Sequence, residues 1–202
     1  MIKKSLLSAI VFVAGISIAG IASAQESAFE GWYAGGQVGW SDVEFDLSGA
    51  LVGSGDGDGF GGGGFVGFGG TNGNLYGSIE AELGYDGAEW SGTILGTPTD
   101  VEAQLTYGLG FRVGWVAADN ILVYGRVGWI RTNVEFSATG FGSLDEDFDG
   151  ARIGGGVEGK LGENIGVRGE YTFTNYEDTD LGAGVSADAD QHLFRVGVAY
   201  YF

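Results

Sequence analysis

The stretch Val101–Trp115 alternates without interruption between apolar residues and residues that are polar or glycine. Successive side chains of a β-strand point to opposite faces, so the stretch predicts a strand with one apolar face and one polar face. Ordinary strands are about five or six residues long, whereas a tilted strand that crosses a bilayer needs roughly nine to eleven. This predicted strand is therefore long enough to cross a membrane.

The first 24 residues have the three parts of a secretory signal peptide. Two lysines supply the positive start, Leu6–Ile21 is apolar, and small residues end at Ala24. We expect cleavage between Ala24 and Gln25, which leaves one exported domain over residues 25–202. The alternative, a retained membrane-spanning helix, is disfavoured because the apolar run is short and no basic cluster follows it.

Composition excludes several classes of protein. The chain has 42 glycines and one proline without a Gly-X-Y repeat, which excludes collagen. It has no cysteine, which excludes a disulfide framework, a thiolate metal site and a lipid-modified cysteine. The 27 acidic residues against nine basic ones give a net charge of −18, which argues against a nucleic-acid partner. No motif in the sequence predicts a cofactor.

Seven further segments show the same alternation less cleanly, so the sequence predicts eight strands. Besides Val101–Trp115, these are Trp32–Trp40, Phe60–Phe68, Leu75–Tyr85, Ile121–Trp129, Ala151–Leu161, Ile165–Phe173 and His192–Phe202.

The predicted connections alternate between long and short. Long acidic connections cover residues 46–59, 91–100, 137–150 and 177–190, and tight turns cover residues 71–74, 117–120 and 162–164. An even number of antiparallel strands with tight turns at one end and long loops at the other is typical of outer-membrane barrels. The sequence therefore predicts an all-β, eight-stranded antiparallel up-and-down transmembrane β-barrel, with its turns and both termini in the periplasm.

A soluble up-and-down barrel would alternate in the same way, so the composition of the polar face is needed to distinguish a membrane barrel from a soluble one. Arginine and glutamate in nearly equal numbers among glycines favour a confined interior where charges are matched, whereas a solvated face more often carries Lys, Ser, Thr and Asn. We therefore expect a lumen charge network, with its pairings left open. Its members are Glu80, Glu82, Glu102, Arg112, Arg126, Arg152, Glu158, Lys160, Arg168, Glu170 and Arg195.

The last strand alternates Val198, Tyr200 and Phe202 and stops at this aromatic residue. Together with Gly31–Tyr33 and Ile79–Tyr85, it resembles the outer membrane protein beta-barrel domain family, whose small porin-like barrels are related to the OmpA transmembrane domain. The resemblance implies that Val198, Tyr200 and Phe202 form the signal that the barrel-assembly machinery recognises. It also implies a location in the outer membrane of a Gram-negative cell, with lipid and lipopolysaccharide as partners.

No enzyme is predicted. His192 is the only histidine, and a membrane hydrolase would need one beside a serine. Where a lipid A deacylase of similar fold would be expected to offer that serine, the chain has Phe194. We therefore interpret His192 as an imidazole at the membrane interface.

A crowded acidic segment is the candidate for cation binding. Like charges above an anionic lipopolysaccharide leaflet would repel each other unless Ca²⁺ or Mg²⁺ bridged them. The alternative is a solvated loop. The residues concerned are Asp145, Glu146, Asp147 and Asp149.

The barrel size limits what the lumen can do. Eight strands enclose a space just wide enough for side chains to fill, so we expect ion pairs to plug it. The predicted function is a structural outer-membrane protein with acidic extracellular loops. Two alternatives remain open at this point: a narrow channel for small solutes, and a surface adhesin or host-interaction protein.

Overall fold

Ten β-strands form in the computed structural model, which describes residues 28–49, 53–85, 87, 89–94, 97–138, 142–176, 179–182 and 185–202. The predicted signal peptide and its cleavage site lie outside these residues. Within them, no helix is long and apolar enough to cross a membrane. The strands are β1 (Gly31–Gly49), β2 (Gly53–Asn72), β3 (Leu75–Tyr85), β4 (Glu89–Ile94), β5 (Thr97–Ala118), β6 (Ile121–Ala138), β7 (Gly142–Leu161), β8 (Ile165–Tyr176), β9 (Thr179–Gly182) and β10 (Val185–Tyr201).

Eight of these strands close into an antiparallel barrel. The order around the barrel is β1, β2, β3, β5, β6, β7, β8 and β10, and β10 pairs with β1 to complete the circle. β4 continues the path of β3, because both strands pair with β2 and β5. β9 follows β8 and pairs with β10. The predicted eight-stranded barrel is confirmed. Because hydrocarbon offers no hydrogen-bond partners to backbone groups, closure of the barrel is what allows its strands to pair within the membrane.

The two faces of the barrel wall have the opposite character to those of a soluble protein. Along β8, Arg168 and Glu170 are buried in the lumen, while the alternating Val167 and Tyr171 are exposed on the outer surface. The same division holds on β5, where Arg112 is fully buried and its apolar neighbours face outward. Apolar side chains outside and charged ones inside match a wall whose outer face contacts lipid.

The two ends of the barrel differ in how the strands are joined. At one end, here called the turn end, three tight turns connect the strands, and Gly73 and Gly162 have φ of 62° and 83° there. This positive φ is readily adopted only by glycine. At the other end, here called the loop end, the connections are shorter than predicted, because the strands continue as hairpins. β1 runs to Gly49 and β2 starts at Gly53, inside the predicted loop over residues 46–59.

β5 contains an irregularity that the sequence pattern conceals. The three residue steps from Ala103 to Thr106 lie opposite only two steps on β6. An extra residue of this kind moves the alternation by one position. The regular pairing predicted along Val101–Trp115 is therefore interrupted between Ala103 and Thr106.

Candidate functional site in the barrel lumen

Glu80 is the centre of an ion-pair network in the middle of the lumen. Its carboxylate oxygens lie 2.7 Å from Nη1 of Arg168, 3.0 Å from Nη1 of Arg126 and 3.6 Å from Nη1 of Arg112. The Tyr33 hydroxyl donates a further hydrogen bond of 3.1 Å to the same carboxylate. All of these side chains are buried. One carboxylate therefore contacts guanidinium groups from three different strands.

A second group of ion pairs lies next to the first, toward the loop end. The Glu82 carboxylate lies 2.9 Å from Arg126, 3.0 Å from Arg152 and 2.8 Å from Arg195. Glu170 accepts hydrogen bonds from Arg126, at 3.2 Å, and from Arg195. Arg126 thus joins both groups, because its guanidinium contacts three glutamates.

The remaining predicted members of the lumen network lie nearer the turn end or outside the described part. Glu158 accepts a 2.7 Å hydrogen bond from Nη2 of Arg112. Lys160 is buried, but its Nζ has no hydrogen-bond partner among the described residues and lies 3.4 Å from the ring centre of Tyr201. The side chain of Glu102 lies outside the described part. Except for Glu102, the structure brings the predicted lumen residues together.

The sequence analysis missed an aromatic layer that fills the lumen at the turn end. Two of its rings stack on guanidinium groups of the network: Cζ of Arg112 lies 3.8 Å from the ring centre of Tyr124, and Cζ of Arg168 lies 3.6 Å from that of Phe65. These aromatic residues occupy the polar positions of their strands, a signal that would have distinguished them from lipid-facing aromatics. The layer consists of six aromatic residues, Phe29, Tyr33, Phe65, Tyr76, Tyr124 and Tyr201, with the aliphatic residues Leu122 and Ala199 packed among them.

Polar uncharged side chains form a third layer toward the loop end. Arg152 donates to Oγ1 of Thr174 at 2.9 Å and to Oε1 of Gln191 at 3.2 Å. A small cavity of about 50 Å³ has Gln37, Glu82, Thr106, Arg152 and Arg195 among its lining residues. A cavity of this volume can hold water.

Glycines inside the lumen make room for the long charged and aromatic side chains. A Cβ atom at Gly156 would lie 2.5 Å from the carbonyl oxygen of Gly169 and 2.7 Å from the Tyr124 hydroxyl. A Cβ atom at Gly110 would lie 3.0 Å from Nη2 of Arg126. The backbone contact leaves no space for a side chain at Gly156, whereas a side chain at Gly110 would require Arg126 to shift.

His192 lies on the outer face, as the sequence analysis expected. Its Nδ1 is 2.7 Å from the Tyr171 hydroxyl, and its ring lies against that of Phe173, with 5.1 Å between the ring centres. The phenol and imidazole form one aromatic patch with Phe194. An environment of aromatic rings is typical of a residue at the membrane interface.

β7 carries the four predicted cation ligands, Asp145, Glu146, Asp147 and Asp149. Asp149 accepts hydrogen bonds of 2.8 and 2.6 Å from Arg131, beyond the apolar belt, and this pairing lowers the pKa of the Asp149 carboxyl. Asp147 accepts a 3.3 Å hydrogen bond from Asn133. The side chains of Asp145 and Glu146 lie outside the described part. In the portion that is described, no cluster of acidic or histidine residues is arranged to hold a metal ion.

Acidic residues are register partners on neighbouring strands at the loop end. Like charges directly opposite each other destabilise a sheet unless something screens them. We call this series the acidic row: Asp42 lies opposite Asp58, Asp58 opposite Glu89, Glu89 opposite Glu102, Glu102 opposite Glu135, and Glu135 opposite Asp145.

Comparison with known sequences finds one family and several relatives. The family described as Outer membrane protein beta-barrel domain matches residues 11–202. A 22 kDa outer membrane protein of Rhizobium leguminosarum bv. viciae is 27% identical over 86% of this chain and 78% of its own length. Outer membrane protein A of Klebsiella aerogenes is 28% identical over 99% of this chain, which spans only 55% of that relative.

Comparison with solved structures supports the fold alone. The outer membrane protease OmpT of Escherichia coli superposes with a TM-score of 0.53 and 7% sequence identity, over 89% of this chain and 99% of that one. At this level of identity the likeness concerns the barrel architecture and carries no information about activity.

Proposed function

The chain belongs to the outer membrane protein beta-barrel domain family and is an integral protein of the outer membrane, and we propose that its barrel is a closed structural element. In this proposal the lumen does not conduct solutes. The acidic hairpins at the loop end face the outside of the cell, since short turns of such barrels lie in the periplasm.

The single observation that carries the proposal is the position of Arg126. Its guanidinium contacts Glu80, Glu82 and Glu170, all of them buried. A solute that passed this level would have to separate these ion pairs and leave buried charges unpaired in the lumen, which is strongly unfavourable. The alternative, a narrow channel, requires a continuous water path through the same level.

Recording from single molecules in planar bilayers tests the proposal. We expect the refolded wild-type barrel to show no regular unitary conductance. The double variant Glu82→Ala/Arg126→Ala removes side chains that span the lumen, so we expect it to raise the conductance of the inserted barrel. Correct folding is checked by the change in electrophoretic mobility between unboiled and boiled samples. Regular conductance steps in the wild type would favour the channel instead.

The proposed role is not enzymatic. The only histidine of the chain, His192, is engaged with Tyr171 on the outer face rather than with the lumen charges. The likeness to a protease is limited to the fold, so it gives no support for an active site here.

Lipopolysaccharide, divalent cations and the barrel-assembly machinery are the proposed partners. Support for the cations comes from the acidic row, where acidic residues are register partners on neighbouring strands. Support for the machinery comes from Val198, Tyr200 and Phe202, which are exposed on the outer face at the end of the last strand. These three side chains would be available to a protein that aligns β10 during insertion.

A further inference from the structure

The chain leaves the barrel wall at Gly31 and turns under the lumen. Gly31 has a φ of 94°, a backbone conformation that residues other than glycine rarely adopt. The residues before it, Ala28–Glu30, consequently lie across the turn end instead of extending β1 away from the barrel. Phe29 is fully buried there, although it precedes the first strand.

Two sets of contacts hold this short segment in place. The Phe29 ring packs edge-on against Tyr76 and Tyr201, with 6.4 Å and 6.3 Å between the ring centres. Aromatic pairs in this geometry stabilise by about 0.5–1.5 kcal/mol beyond the area they bury. On the opposite side, the Thr71 hydroxyl donates a hydrogen bond to the Glu30 carboxylate. The segment is thus attached to β2, β3 and β10 around the mouth of the lumen.

Lys160 lies directly beneath this segment. Its side chain is buried, and Nζ lies 3.4 Å from the ring centre of Tyr201 and 5.9 Å from that of Phe29. Nζ finds no hydrogen-bond acceptor within the described ranges. An ammonium held over aromatic rings gains a cation–π attraction, but it would be better solvated by water.

We infer that residues 28–30 form a plug that closes the turn end of the lumen and shields the Lys160 amine from periplasmic water. The plug consists of the Phe29 ring, its hinge at Gly31 and the anchor between Glu30 and Thr71. This closure does not depend on the proposed function, because the plug could seal the mouth whether or not the ion pairs above it block solutes.

The sequence makes the plug easy to test, because Lys160 is the only lysine outside the predicted signal peptide. The folded protein in detergent micelles is treated with a water-soluble amine-acetylating reagent, and acetylation of Lys160 is followed by mass spectrometry. We expect the wild type to react at least about tenfold more slowly than the boiled chain, since the amine must await local opening. Phe29→Ala should remove most of this protection.

The matched control is Phe68→Ala, which removes the same side chain from the outer face near the turn end. We expect it to leave the protection of Lys160 unchanged. Only molecules that keep the unboiled mobility are analysed. If Phe29→Ala is not recovered as a folded barrel, Thr71→Ala, which removes only the Glu30 anchor, is compared with wild type in the same way. Rapid acetylation of the wild type, or equal rates in wild type and plug variant, would overturn the inference.

Discussion

Buried and exposed ion pairs in this barrel are expected to contribute very differently to its stability. Glu80 is buried among three guanidinium groups. The pair of Arg131 and Asp149 has good geometry, but about a third of each side chain is exposed. Water and salt screen such an exposed pair, whereas nothing replaces a lost partner inside the lumen.

The first prediction compares these two carboxylates. Glu80→Gln keeps the size of the side chain but leaves its arginines without a full counter-charge, so it should lower the free energy of unfolding by about 3–5 kcal/mol. Asp149→Asn makes the same chemical change at the exposed pair and should have a much smaller effect. Both are measured as urea unfolding in detergent, followed by the loss of the compact unboiled band. Equal stability of the two variants would contradict a network that contributes to folding.

The strands carry a sequence signal only where one face meets lipid. β2 shows the reason: Phe60, Val66 and Phe68 mark its membrane part, while Gly53–Gly59 alternates glycine with serine or aspartate. Beyond the membrane both faces of a hairpin meet water, so no hydrophobic periodicity distinguishes strand from loop. The sequence therefore located all eight barrel strands but made most of them too short at the loop end. The bulge in β5 was also hidden, because alternating residue types continue through it.

The membrane part of a strand should be sensitive to charge in a way that depends on depth. Leu109 lies on the outer face in the middle of β5, whereas Leu161 lies on the outer face at the turn end of β7. Leu109→Arg should cost roughly 2–4 kcal/mol, and Leu161→Arg about 0–1 kcal/mol, because the interface tolerates a charge that the bilayer centre does not. Unfolding in lipid vesicles measures both. Equal costs would mean that Leu109 does not lie nearer the bilayer centre than Leu161, which would contradict the depth assigned to the apolar belt.

At the scale of the whole molecule, the lumen consists of three layers, and the acidic surplus lies beyond them. Aromatic side chains fill the turn end, ion pairs fill the middle, and threonine and glutamine lie toward the loop end. Because the charges in the middle are largely paired, most of the net charge of −18 belongs to the loop-end hairpins. Such a charge density repels itself unless cations gather there.

Calcium should therefore stabilise the barrel through its hairpins. We expect about 5 mM calcium chloride to raise the melting temperature by about 2–4 °C, which corresponds to about 1 kcal/mol for a domain of this size. Sodium chloride at equal ionic strength is the control for general screening. The triple variant Asp145→Asn/Glu146→Gln/Asp147→Asn should lose part of the calcium effect. Identical melting in the two salts would remove the proposal of cation binding.

The sequence by itself determined the class of fold and which charged residues of the membrane part would face inward, because lipid and lumen impose opposite polarities on alternate positions. Arg112 and Glu80 could be assigned to the lumen in this way. Their pairing could not, since Arg112 meets Glu80 on the neighbouring strand β3 and Glu158 on β7, two strands away, and those contacts depend on strand tilt and register that no local pattern encodes. The same reason applies to Phe29, which no strand pattern includes. Only closure of the barrel created the mouth into which it folds.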